Sequence, residues 1–267
     1  MANLKLKLNL QSLTLTREII KAHSVKGKLI ANDIAYLRIS HFNDNTAAEI
    51  KKNLKKLKTK VNSLILDIRN NPGGTLDSAI AVSDLFLDAN KLKTNKTIVK
   101  TSGKIAEMNS VAEATPGEIF NNKPIVVLIN SGSASAAEIL ASALAEHNRA
   151  ITLGTKTFGK GSIQTLIPVT STSAIKITTG LYYTPRGKAI QASGVLPDVI
   201  VPYTTMPKES NQQNIENFID ESQLYKHLKT KPKTKKPTTK DKSQHKINIA
   251  IANKDFQLYQ AIKILHG

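Results

Sequence analysis

Two short apolar runs, Leu64 to Ile68 and Ile125 to Ile129, constrain the fold more than anything else in the chain. Each has the length and the branched residues of a strand covered on both faces. Each breaks into a turn of small polar residues and is followed by helical periodicity. The first opens into Arg69-Asn70-Asn71-Pro72-Gly73-Gly74 ahead of a helix expected from about Leu76 to Leu87. The second opens into a tight turn, Ser131 to Ala134, ahead of an alanine-rich helix from Ser135 to about His147, and Ala150 to Leu153 then reads as a third strand. Strand, helix, strand in this order predicts a parallel sheet with right-handed crossovers. Upstream, Ile34 to Ile39 alternates like a strand. Thr46 with Glu49 spells a capping box before a helix carrying Ile50, Leu54 and Leu57 on one face. Downstream, Thr165 to Val169, Ala174 to Thr178 and Val199 to Val201 read as further strands, and Asp255 to Leu265 as a terminal helix.

Composition narrows the chemistry. The 267 residues include no cysteine, which removes disulfide scaffolds, thiolate metal sites and cysteine nucleophiles. The six histidines are scattered without a metal-binding spacing, so neither a metal nor an organic cofactor is expected. The net charge of +18 is uneven: Lys226 to Lys246 holds nine lysines and one acid, between prolines and threonines. Such a stretch cannot bury a core and reads as part of a polar, lysine-rich linker over 206–247 with a short helical segment, followed by a C-terminal strand and helix over 248–267. A weak anionic partner for Lys226 to Lys246 is the sharper alternative; nucleic acid is disfavoured, because aromatic residues and a helical arrangement of charge are missing. Met1 to Leu10 alternates leucine with lysine or asparagine and has no signal-peptide or membrane-spanning character.

In an open parallel sheet, ligands bind where loops leave the carboxyl ends of the strands. Three loops qualify: Asn70 to Gly74, Asn130 to Ser135, and Gly154 to Gly161. Ser135 stands at a strand-to-helix turn, where its Oγ can project and helical N–H groups can stabilise an oxyanion. No histidine lies in the three loops, whereas Lys160 sits between two glycines. A lysine serves as base when its surroundings bring its pKa from about 10.4 to near neutrality, which takes about 4 kcal/mol of desolvation or like-charge repulsion. A Ser/Lys pair performing covalent acyl transfer is then chemically coherent. Two plainer interpretations stay open on spacing alone. Ser135 with Glu138 also spells a capping box, and Lys160 also suits a surface turn. The Gly154-to-Lys160 spacing copies part of a phosphate-binding loop. However, Gly161 replaces the hydroxyl residue and an extended segment follows in place of a helix, so a nucleotide site is disfavoured.

Four segments, in order, carry a family resemblance. They are Leu66-Asp67-Ile68-Arg69-Asn70-Asn71-Pro72-Gly73-Gly74; Asn130 to Ile139 with Arg149-Ala150; Thr157-Phe158-Gly159-Lys160-Gly161-Ser162-Ile163-Gln164; and Tyr182 to Gly187 with Gly194-Val195-Leu196-Pro197-Asp198. Together they resemble the carboxyl-terminal processing, or tail-specific, proteases from about Leu13 to Val201. The resemblance implies a serine endopeptidase with an α/β core of crotonase-like, Clp-like type: parallel strands, crossover helices and additional β strands. It implies Ser135 as nucleophile, Lys160 as general base and Gln164 as the residue orienting the lysine, with Ser133 a bystander. The oxyanion hole would be the N–H of Ala136 and one from the Gly73-Gly74 turn. Substrates would be proteins or peptides with apolar carboxyl termini, no cofactor is implied, and the full-length form would sit in the periplasm or cell envelope. The catalytic domain is expected over 18–205. The stretch before it, 1–17, has room for little more than a lead-in strand, so no complete PDZ domain, usual in the family at this place, is expected. A catalytically silent truncated homologue, acting as a scaffold or basic-tail binding protein, is the alternative.

Overall fold

A computed structural model describes residues 23–57, 61–93, 95–103, 109–203 and 254–267; the lysine-rich run and the residues before 23 lie outside them. In chain order the elements are β1 (Val25–Ile30), β2 (Ile34–Ile39), α1 (Thr46–Lys56), β3 (Ser63–Asp67), α2 (Leu76–Asp84), β4 (Thr97–Gly103), β5 (Ser110–Glu113), β6 (Ile125–Ile129), α3 (Ala136–Glu146), β7 (Ile151–Gly154), β8 (Ser162–Pro168), β9 (Ala174–Tyr183), β10 (Val199–Ile200) and α4 (Phe256–His266). Among the described residues no helix is long and apolar enough to cross a membrane.

Six strands form the main sheet in the order β1-β2-β3-β6-β7-β10. From β2 to β10 every neighbour is parallel, and β1 closes one edge as an antiparallel hairpin partner of β2. The apolar runs are continuous because both faces are covered. Leu64, Leu66, Val127 and Ile129 face one core with Ala79 and Val82 of α2 and Ile139 and Leu140 of α3. Ile65, Val126, Leu128 and Leu153 face the other, against Ala261 and Ile262 of α4. Alanines 136, 137, 141 and 143 are buried, which lets α3 pass close to its neighbours.

Several local expectations change. Asn45, not Thr46, is the N-cap of α1, and it makes no side-chain cap hydrogen bond. The Thr46 hydroxyl instead accepts the Asn43 N–H at 2.9 Å. Glu49 turns away to accept the N–H groups of Ser24 and Val25, both at 2.9 Å, because the entry to β1 presents those donors to it. The second helix ends at Asp84 rather than Leu87: the N–H groups of Phe86 and Leu87 bond three residues back, to Ser83 and Asp84, and tighten its end into a turn. Strands β1, β4 and β5 were not legible beforehand, and β8 and β9 are longer than their alternation implied. These last four join as a second sheet, β5-β4-β9-β8, antiparallel throughout.

A buried polar network locks α4 to the carboxyl end of β3. Asp67 accepts from Tyr36 Oη at 2.7 Å, Arg38 Nη1 at 2.9 Å and Arg69 Nη2 at 2.7 Å. Arg69 also forks onto Asp255, the N-cap of α4, at 2.8 and 2.6 Å, and donates to Gln257 Oε1 at 3.0 Å. Burial alone would raise the Asp67 pKa, but the Arg69 hydrogen bonds and charge, with Tyr36 and Arg38, outweigh it and hold the carboxyl below its ordinary value. A folded-state pKa below that of the unfolded chain means stability that is fully present above the normal aspartate range and is lost as pH falls through it. Urea unfolding of the parent is therefore expected to lose up to about 1.4 kcal/mol per pH unit more below pH ~4 than unfolding of Asp67→Asn, which has no such proton to bind.

Candidate active site

The three parallel strands β3, β6 and β7 are neighbours, so the loops at their carboxyl ends converge. After β3, Asn71 is buried and shapes the turn: its Nδ2 donates to Ile39 O at 2.9 Å and its Oδ1 accepts the Gly73 N–H at 2.8 Å. Gly73 has φ 101°, and a Cβ on it would lie 2.8 Å from Ala134 O, 2.9 Å from Ser135 Cβ and 3.0 Å from Ala136 N. Any side chain there would displace the serine. Gly74 packs as tightly on the other side, where a Cβ would come within 1.8 Å of Phe42 O.

After β6, the loop is clamped to its neighbour before it reaches Ser135. Asn70 N–H donates to Asn130 Oδ1 at 2.8 Å while Asn130 Nδ2 donates to Asn70 Oδ1 at 2.9 Å. Ser133 is fully buried; its hydroxyl donates to Ile68 O at 2.8 Å and accepts the Asn130 N–H at 3.0 Å. Ser135 then has φ 56° and ψ −116°, a conformation that side-chain-bearing residues rarely adopt. Holding a residue there costs about 1–3 kcal/mol, and such strain collects at functional turns, notably where a nucleophile stands between a strand and a helix.

The loop after β7 reaches the same place through Glu138, which is completely buried in the first turn of α3. Its Oε2 accepts the Ser135 N–H and the Lys160 N–H, each at 2.8 Å. Its Oε1 accepts the Thr157 hydroxyl at 2.6 Å and the Gly159 N–H at 2.7 Å. One carboxylate thus ties the backbones of residues 135 and 160 together. The capping box of Ser135 and Glu138 is present, and the Glu138 oxygen that reaches back to the cap also holds the lysine loop. That second role had no signal in the spacing, since Thr157 and Gly159 lie about twenty positions downstream. Phe158 N–H donates to Ser133 O at 3.0 Å and completes the join.

Of the residues expected at the site, Ser135, Ala136, Gly73, Gly74 and the backbone of Lys160 are brought together. The Lys160 side chain is half-buried. Gln164 lies on β8 with its side chain exposed, and no hydrogen bond joins it to Lys160 among the described residues. The N–H groups of Gly74 and Ala136 have no acceptor among the described residues, whereas that of Gly73 is taken by Asn71. Among the described residues no group of three or more His, Asp or Glu side chains could hold a metal ion. The arrangement offers a strained hydroxyl, an amine on an adjoining loop and two unengaged N–H donors, which are the parts of an acyl-transfer centre.

A family model described as Peptidase family S41 matches residues 33–201. The chain is 38% identical over 262 residues to the carboxy-terminal-processing protease of Bartonella bacilliformis, covering 95% of this chain and 56% of that protein. It is 37% identical over 196 residues to the carboxyl-terminal-processing protease of Synechocystis sp., covering 72% and 44%. Among solved structures, the photosystem II D1 C-terminal processing protease superposes with a TM-score of 0.59 at 32% identity, over 71% of this chain and 51% of that one. The chain spans about half the length of these curated relatives. Signature segments in order, a converged site built from them and a match over most of the sheet lead to one assignment: the chain belongs to peptidase family S41, the carboxyl-terminal processing proteases.

Proposed function

We propose that this chain carries the catalytic centre of a serine endopeptidase that cuts proteins near apolar carboxyl termini through a Ser135/Lys160 dyad. The Lys160 amine takes the proton from Ser135 Oγ as the oxygen attacks the scissile carbonyl. The N–H groups of Ala136 and Gly74 receive the oxyanion, and Gly73 serves by leaving room. Collapse of the tetrahedral intermediate passes the proton from Lys160 to the departing amine and leaves an acyl-enzyme on Ser135. Water, deprotonated by Lys160, then releases the new carboxyl terminus. Gln164 is assigned to orient the lysine once substrate orders this edge. The preference for carboxyl-terminal regions follows the relatives, which are named for that processing.

The observation that carries this proposal is the shared Glu138 carboxylate, which holds the backbones of two residues 25 positions apart within reach of one oxygen. A serine used only as a helix cap would not require the loop of residue 160 to be fastened to the same atom. The test is covalent labelling with a fluorophosphonate followed by peptide mass mapping. A single adduct on Ser135, absent from Ser135→Ala, is expected; a folded chain that stays unlabelled, or is labelled elsewhere, would contradict the dyad.

A further inference from the structure

Among the described residues the two sheets end in four edge strands, and three of them are guarded in the usual ways. An open edge presents unpaired N–H and C=O groups, and proteins blunt it with charge, shortness or cover. β1 carries Lys26 and Lys28, β10 has two residues, and β5 has four and ends in Glu113. β8 differs. Its seven residues, Ser-Ile-Gln-Thr-Leu-Ile-Pro, include no charge, and among the described residues β9 is the one strand paired with it.

The register says which groups face outward. Val169 N–H donates to Ser173 O at 2.9 Å at the hairpin turn. Counting by twos from Val169, Ile167 and Thr165 turn their hydrogen-bonding groups toward β9, opposite Ile175 and Ile177. Gln164 and Leu166 therefore point theirs away from the sheet. Pro168, which has no N–H, falls in the same outward set, the place where a proline costs the ladder nothing. The second half of the strand is apolar and exposed, Leu166 at 66% and Ile167 at 45%, while its first half carries Ser162, Gln164 and Thr165. The strand begins at Ser162, two residues beyond Lys160, so a chain laid along it runs toward the loop that Glu138 ties to Ser135.

We infer that the outer edge of β8 is the substrate's docking strand: an extended, uncharged apolar peptide segment adds to the second sheet, pairing its backbone with Gln164 and Leu166. This rests on the peptidase proposal above, since it names what the same site takes. Recognition by strand addition draws affinity from main-chain hydrogen bonds and so tolerates many sequences, provided the segment is extended and not charged.

The test uses the full chain carrying Ser135→Ala and a short fluorescein-labelled peptide rich in valine and alanine, read by fluorescence anisotropy. Saturable binding is expected. The same peptide with alternate amides N-methylated, in the register that blocks pairing with β8, is expected to bind at least about tenfold more weakly, as is the parent peptide with a Leu166→Pro variant; Leu166→Val should bind like the parent. The methylated peptide needs no change to the protein, so the comparison holds even if the proline variant unfolds. Equal affinity for the unmethylated peptide and for the methylated peptides of both registers would overturn the inference, as would absence of binding by the folded protein. Concentration-dependent self-association that Leu166→Pro abolishes would also overturn it, assigning the edge to a second copy of this chain. Phosphonate labelling of the chain with Ser135 intact separates the two proposals. Labelling without amide-dependent binding rejects the docking strand alone, and amide-dependent binding without labelling rejects the dyad alone.

Discussion

Lys160→Ala is expected to lower both peptide cleavage and phosphonate labelling of Ser135 by about a thousandfold, with little change in thermal stability. General base catalysis by a positioned group contributes about 10²–10⁴-fold, and here the same group also returns the proton to the leaving amine. Stability should hold because Glu138 grips the backbone N–H of Lys160, not its amine, so the truncation leaves the joined loops intact. Lys160→Arg should lose as much activity, because a guanidinium keeps the charge and cannot act as a base. Comparing kcat with the melting temperature for both variants checks this. Cleavage by Lys160→Ala at the parent rate would remove the dyad, and recovery of the rate by arginine would reduce the lysine to a positive charge.

Glu138→Gln, the smallest change available at that position, is expected to destabilise the protein by on the order of 3 kcal/mol and to abolish labelling of Ser135. The carboxylate accepts four hydrogen bonds inside the core, two on each oxygen. An amide keeps one acceptor oxygen and turns its NH₂ toward two donors. The Thr157 hydroxyl can turn to accept from that NH₂ with its second lone pair, but the backbone N–H groups of Ser135, Gly159 and Lys160 cannot reverse, so in either orientation of the amide at least one of them faces a donor. Hydrogen bonds to a charged group contribute about 1.5–3 kcal/mol each, and partial relaxation returns some of the loss. For a domain of this size the result is a fall in melting temperature on the order of 10 °C. Labelling measured per folded molecule distinguishes the two consequences: a destabilised variant that still labels normally when folded would make Glu138 a core residue with no part in setting the site.

The parallel core was readable because its cause is local. Leu64 to Ile68 and Ile125 to Ile129 are apolar at successive positions, and only a strand covered on both faces accommodates that. The loops at their ends were readable for the same reason, since Gly73 and Gly74 mark close backbone approach and Ser135 marks a helix start. The capping box at Thr46 and Glu49 failed because a tertiary demand outcompeted the local one: the donors of Ser24 and Val25 claimed the carboxylate. Glu138 was seen as a cap, and its grip on residues 157–160 was not, because that contact spans about twenty positions and depends on β6 and β7 lying side by side. The edge character of β8 was equally hidden, since exposure of an edge depends on which strands do not pair with it.

By itself the sequence determined the buried parallel strands β3 and β6, the helices that follow them and the turns that need glycine, and it named Ser135 and Lys160 as candidates. These follow from side-chain shape, periodicity and protonation, all of which act over a few residues. Only the tertiary structure decided that the loops of Ser135 and Lys160 share one buried oxygen, that α4 is fastened through Asp255 to Arg69, and that the outer edge of β8 has no partner strand among the described residues. Hydrogen bonds and ion pairs of that kind depend on burial and on distance in space, and neither is a property of neighbours along the chain.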